Sequence, residues 1–112
     1  MAKTLFERII DRELPANFVY EDELCVVIKD INPGAPLHLL VIPRKPLVKL
    51  SDASVDDQAL LGHLLLVANK VAADAGYADF RVAINNGAGA GQSVFHVHVH
   101  VLAGRPLKWP PG

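Results

Sequence analysis

The sequence predicts an α+β domain: an antiparallel sheet of short strands covered by one long helix. Three observations carry this. Short β-prone runs recur along the chain, separated by polar or Gly/Pro breaks. Only one segment, between Ser54 and Gly76, repeats apolar residues at helical spacing over many turns. The strands do not alternate with helices, as a doubly wound parallel sheet would require. With 112 residues, a single domain over residues 1–112 is expected, since such a chain buries roughly two-thirds of its unfolded surface but is too small for two cores.

Taken in order, Thr4 and Glu7 form a capping-box pattern, and Phe6, Ile9 and Ile10 line one side of a short helix that Leu14-Pro15 ends. Phe18-Val19-Tyr20 and Leu24 to Ile28 read as a hairpin turned by Glu21-Asp22-Glu23, closed by Asp30 and the turn Asn32-Pro33-Gly34. Leu37 to Ile42 is a third strand, bounded by Pro36 and Pro43. Ser54 and Asp57 cap the long helix, whose apolar stripe runs from Leu60 to Ala75 before Gly76 stops it. His63, on this helix but outside the stripe, reads as solvated surface. Phe80 to Asn85 and Val94 to Leu102 are the fourth and fifth strands, joined by the glycine-rich Asn86 to Ser93.

The formal charge of −1 leaves no basic stripe to release counterions from a nucleic-acid polymer. The lone cysteine, Cys25, can form no internal disulfide and reads as a small buried strand residue. The N-terminus becomes charged again at Glu7-Arg8 before any long apolar run, and no stretch approaches the ~20 apolar residues that span a bilayer. A soluble cytoplasmic protein is expected, without a membrane partner. With glycine counted and tyrosine left out, apolar residues reach roughly 56%, against a usual 45–50%, which suggests a buried subunit interface.

The chemistry lies in the fifth strand. His96, His98 and His100 alternate with Val97, Val99 and Val101, so the three imidazoles share one face and the valines the other. Such a face could bind a metal, attack phosphorus with a neutral imidazole nitrogen, or work as a plain acid–base pair. Gly87, Gly89 and Gly91 allow positive φ and can turn backbone N–H groups toward an anion, while Gln92 and Ser93 add polar donors. The loop is neither a Walker loop nor a dinucleotide fingerprint, because no Gly-Lys-Ser/Thr follows and a strand succeeds it. An imidazole nucleophile predicts a rate that declines as pH falls through roughly 6.

His96 to Leu102 fits the pattern His-φ-His-φ-His-φ-φ, where φ is hydrophobic, and here the chain resembles the histidine triad (HIT) proteins. Gly91-Gln92-Ser93-Val94, Gly104-Arg105-Pro106 and the terminal Trp109-Pro110-Pro111-Gly112 are similar to the Hint branch, the purine nucleoside phosphoramidases. The similarity is weakest between about Pro46 and Asp56. It implies a HIT-like fold with one long and one short helix, and a homodimer whose two five-stranded sheets join into ten strands. It also implies hydrolysis of purine nucleoside 5′-phosphoramidates and acyl-nucleotidylates, without a cofactor or metal, through a nucleotidyl-histidine that releases the nucleoside monophosphate.

By the same resemblance His98 is the nucleophile, His100 and His38 contact the phosphate, and His96 supports the triad. Ser93 interacts with the leaving group, and Asp30 binds the ribose hydroxyls. Asn85, Gly91 and Gln92 help hold the phosphate, Val94 belongs to the nucleotide site, and Phe6, Ile9, Ile28 and Ile31 line the base pocket. Read without the resemblance, His38 is an ordinary core histidine, Asp30 a turn residue, and the four apolar residues plain core. Ile28 replaces a phenylalanine of several members, and Asn86 an acidic residue of some. Histidine at position 100, where nucleotide transferases carry glutamine, favours hydrolysis over transfer. The dinucleoside polyphosphate hydrolases share the triad, but the Trp-Pro-Pro-Gly tail argues against that branch; a non-catalytic nucleotide-binding scaffold is the alternative outside enzymes.

Overall fold

The computed structural model describes residues 2–112. Its elements are α1 (Leu5–Ile10), β1 (Phe18–Glu21), β2 (Cys25–Lys29), β3 (Leu37–Pro43), α2 (Gln58–Asp74), β4 (Arg81–Ala83) and β5 (Val99–Ala103). The five strands form one sheet in the order β1-β2-β3-β5-β4, every pair antiparallel. This is the predicted α+β architecture.

Local signals set the ends of the helices. Thr4 Oγ1 accepts from Glu7 N–H, and the Glu7 carboxylate accepts from Thr4 N–H, so the capping box that starts α1 is complete. The helix stops at Ile10, well before Leu14-Pro15, because Arg12 turns into the left-handed region at φ +63°. Ser54 and Asp57 form a second capping box around a short 3₁₀ turn (Val55–Asp57) that leads into α2. Gly76, at φ +92°, ends α2, with Tyr77 N–H returning to the Ala72 carbonyl.

Each face of the sheet has its own core. Leu64, Val67, Ala68, Val71 and Ala72 of α2 pack on Cys25, Val27, Leu39, Val41, Val99 and Val101. Phe6 and Ile9 of α1 pack on Val26, Ile28, Leu40 and Ile42. The central strands therefore bury both faces, which is why β2 reads as a continuous apolar run, and each fully buried Val, Leu or Ile contributes about 1.5–3 kcal/mol. Cys25 is wholly buried, and burial together with the Asp22 carboxylate pushes its thiol up to about 12.

The fifth strand is shorter than its sequence pattern. β3 and β5 pair from Leu37↔Ala103 to Val41↔Val99. Val97 would next face Pro43, which has no N–H to give the ladder, and Val97 N–H instead donates to the Leu47 carbonyl at 2.7 Å. His96 and His98 thus lie in a bent approach to β5 rather than within it. They still face α1: the Phe6 ring meets His98 edge-on at 4.9 Å and His96 at 6.2 Å. β4 is likewise trimmed to Arg81–Ala83, leaving Phe80, Ile84 and Asn85 outside the pairing.

Candidate active site

The α1 face of the sheet ends in a cavity of about 470 Å³, within the usual range for a small-molecule site. Its apolar wall includes Phe6, Ile9, Ile28, Ile31, Leu40 and Val94, and its polar end carries Asp30, Ser93, His98 and His100. His38 stands one layer back, behind His100, and His96 behind His98.

Backbone groups fix the imidazole protons, because a peptide N–H can only donate and a carbonyl can only accept. The His98 ring Nδ1 lies 2.8 Å from the His96 carbonyl, so Nδ1 carries the proton and Nε2 keeps its lone pair. Gly34 N–H donates to His38 Nδ1 at 2.9 Å, so His38 is protonated at Nε2. That Nε2–H faces His100 Nδ1 at 2.9 Å and the Asp30 carboxylate at 3.4 Å. His100 therefore accepts at Nδ1 and bears its proton on Nε2, which is buried and has no partner among the described residues. His96 donates from Nε2 to the Pro43 carbonyl at 2.7 Å, tying the bent approach to the end of β3.

Burial favours the neutral form of His96, His98 and His100. Desolvation lowers the pKa of His96 and of His98, and in each case a hydrogen bond to a backbone carbonyl opposes it. His100 is pushed down to about 4, by burial first and then by His98 and His38. At neutral pH the polar end thus offers one imidazole lone pair, on His98, beside one imidazole N–H, on His100. The two rings are 4.9 Å apart.

A family profile of the HIT domain matches residues 11–107. The chain belongs to the HIT family. It is 62% identical over 110 residues to an uncharacterized HIT-like protein of Synechocystis sp., covering 97% of this chain and 96% of that one. A HIT family hydrolase from Legionella pneumophila has the same fold, with a TM-score of 0.96 and 41% identity over 98% of this chain and 100% of that one. A HIT family hydrolase from Clostridium thermocellum superposes with a TM-score of 0.93 at 41% identity, covering 96% of each chain.

The glycine loop of this HIT domain differs in detail from its sequence expectation. Gly87 and Gly91 take φ of +91° and +98°, whereas Gly89 sits in an ordinary 3₁₀ turn (Ala88–Ala90). Gly87 N–H donates to the Gln92 side-chain oxygen, and the N–H groups of Gly91 and Gln92 close on Ala88 and Gly87. The Gln92 amide donates to the Val48 and Val94 carbonyls, and Asn86 accepts from Ser51 N–H. The donors of Gly91 and Gln92 thus hold the loop in shape rather than facing a phosphate. Asn85 packs behind Gly91, where an added Cβ would come within 3.7 Å of its amide.

Two titratable groups read differently from the sequence. Asp30 is the predicted turn residue, accepting from Asn32 N–H at 2.8 Å, and at the same time offers its other oxygen to His38. His63 is not free surface: its Nε2 bonds the Asp22 carboxylate at 2.7 Å, joining α2 to the β1–β2 turn. Sequence reasoning also missed Leu5, Leu14, Pro15, Ala16, Lys29, Asn32 and Leu40, which line the cavity. Leu14-Pro15 signalled only a break; that the connection to β1 doubles back as a wall is a tertiary fact.

Asp30, His38 and His100 each bring one ligand atom within 4.8 Å of the others, as do Asp22, Cys25 and His63. Neither set is arranged as ligands. Two imidazoles on one tetrahedral zinc would stand about 3.3 Å apart, given Zn–N bonds near 2.0 Å, whereas His38 and His100 are at hydrogen-bond distance. Asp22 already accepts from Leu24 N–H, Cys25 N–H, Tyr20 and His63.

Proposed function

We propose that this HIT domain is a hydrolase of purine nucleoside 5′-phosphoramidates and acyl-nucleotidylates, working through a nucleotidyl intermediate on His98. The observation that carries this is the fixed pair of unlike nitrogens at the polar end of the cavity, a lone pair on His98 and an N–H on His100. A phosphorus atom needs both: a nucleophile to bond and a donor to take the charge on its non-bridging oxygens.

In the first step His98 Nε2 bonds the α-phosphorus while the bond from phosphorus to the amine breaks. The amine leaves with a proton supplied at the mouth of the site, where Ser93 is exposed. The Nδ1–H held by the His96 carbonyl stabilises the positive ring that forms. Water then attacks phosphorus and gives up a proton to solvent at the mouth of the site, the P–N bond to His98 breaks with the electron pair returning to Nε2, and the nucleoside monophosphate departs. His100 donates to the phosphate, with His38 and Asp30 fixing its proton, and the apolar wall of Phe6, Ile9, Ile28 and Ile31 receives the base. The second Asp30 role is to accept from the ribose hydroxyls. Asn85, Gly91 and Gln92 serve by shaping the loop. The terminal Trp109, largely exposed, and the residues after it lie away from this cavity.

The reading carries two further parts: a homodimer, and a cytoplasmic setting in which the buried thiol of Cys25 needs no oxidant. No described helix is long and apolar enough to cross a membrane.

Rapid quench with phosphorus-labelled adenosine 5′-phosphoramidate tests the chemistry. Label should appear on His98 within one turnover and leave on the timescale of product release. Turnover should persist with a chelator, and His98→Ala should lose roughly 10³-fold or more while remaining folded. An active His98→Ala enzyme, or tight nucleotide binding without cleavage, defeats the reading.

A further inference from the structure

We propose that Arg105 is a positioning residue that sets the proton on His100 from outside the cavity, through Gly34 and His38. This rests on the role of His100 as phosphate donor given above. Arg105 is exposed and follows β5, yet its Nε–H and Nη2–H both donate to the Gly34 carbonyl, at 3.1 and 2.8 Å. Gly34 N–H in turn is the group that makes His38 Nδ1 an acceptor. Each later link follows: His38 Nε2–H donates to His100 Nδ1, and the remaining His100 proton sits on Nε2, the buried nitrogen of a ring that lines the cavity.

The Asp30 carboxylate, 3.4 Å from His38 Nε2, favours the same tautomer, and Gly34 is the link that Arg105 controls. If Gly34 N–H moves off His38 Nδ1, that nitrogen is free to hold the proton. His38 Nε2 then becomes a lone pair, His100 Nδ1 donates to it, and His100 presents a lone pair to the phosphate oxygens instead of a donor. Gly34 lies in the loop between β2 and β3, where no ladder holds it. The two hydrogen bonds from Arg105 supply that restraint, and Nη1 is anchored in turn on the Pro106 carbonyl.

The approach of the two segments is tight enough to restrict sequence. Gly104 has φ +99°, and a Cβ there would fall 2.8 Å from Pro36 Cβ, so the Gly104-Arg105 step lies directly against the loop that carries Gly34. At Gly34 itself an added Cβ would meet His38 Nδ1 at 3.7 Å, which shows how closely this turn lies on the ring.

The test compares wild type, Arg105→Ala and Arg105→Lys by long-range proton–nitrogen NMR of the histidine rings and by steady-state kinetics with adenosine 5′-phosphoramidate. In wild type His38 and His100 should both show Nε2–H. In Arg105→Ala both rings should show mixed tautomers, with kcat down about tenfold and affinity for adenosine monophosphate changed less, since mispositioning of a donor costs more in the transition state. Arg105→Lys, which restores one donor, should recover part of both readouts. Unchanged tautomers in Arg105→Ala overturn the proposal, with or without a fall in kcat. The NMR readout does not need turnover, so a wild-type protein that cleaves no phosphoramidate would defeat the proposed function and leave the tautomer relay standing on its own result.

Discussion

At the scale of single residues, the imidazoles of the site are controlled by neighbours that can play only one part in a hydrogen bond. The same neighbours act together with burial on pKa, and this changes the expected pH dependence. The ordinary imidazole value places the acid limb of activity near pH 6; burial lowers His98, so the neutral nucleophile survives to more acid pH. A group that is depressed in the folded protein loses its reactive form only as pH falls through the lowered value. kcat/KM should thus stay level from pH 8 down past about 6.5, the unperturbed imidazole value, and decline only as pH falls through the lowered value. An acid limb centred at or above the unperturbed value, in assays from pH 4 to 8, would contradict a buried neutral nucleophile.

At the scale of elements, the β1–β2 turn is held by one carboxylate. Asp22 accepts from two backbone N–H groups of the turn, from Tyr20 on β1 and from His63 on α2, so a hairpin and a helix share a single anchor. Burial raises the Asp22 pKa, but the four donors outweigh it and hold the carboxyl well below the usual range. Because the folded value is depressed, the stabilisation is full above the unfolded value near 3.9 and is lost progressively as pH falls from there through the lowered folded value. Asp22→Asn should cost about 1.5–3 kcal/mol at pH 7, the range for hydrogen bonds to a charged group, and measurably less at pH 3, where the unfolded chain already binds the proton. Urea unfolding of both proteins at the two pH values measures this; an equal penalty at both would show that charge is not the cause.

At the scale of the whole molecule, the sheet is open at both ends, with β1 and β4 as its edge strands. β4 is an edge strand on which Val82 is exposed, and on α2 Leu65 and Leu66 are exposed, Leu66 to 70%. These features support the proposed homodimer, which would extend the sheet across β4 and cover the leucines. Sedimentation at micromolar concentration should give twice the 12.1 kDa chain mass, and Leu66→Arg combined with Val82→Arg should return the single-chain mass without unfolding it. A wild-type chain that sediments as a monomer would remove the dimer from the reading.

What was legible in the sequence was what short-range geometry decides. Period-two alternation put three histidines on one face, a 3.6-residue stripe marked α2, and capping boxes at Thr4 and Ser54 marked helix starts, because each depends on residues within a few positions. The family resemblance supplied the cavity residues that periodicity would have left as core, namely Phe6, Ile9 and Ile28. What remained hidden depends on partners far along the chain. β5 begins at Val99 because Pro43, 56 positions earlier, has no N–H to offer. Gln92 turns inward because Val48 offers a carbonyl, and His63 is bound because Asp22 lies beneath it. The histidine strand announces its chemistry in sequence, but which nitrogen holds each proton is decided only when His96, Pro43 and Gly34 bring fixed donors and acceptors to the rings.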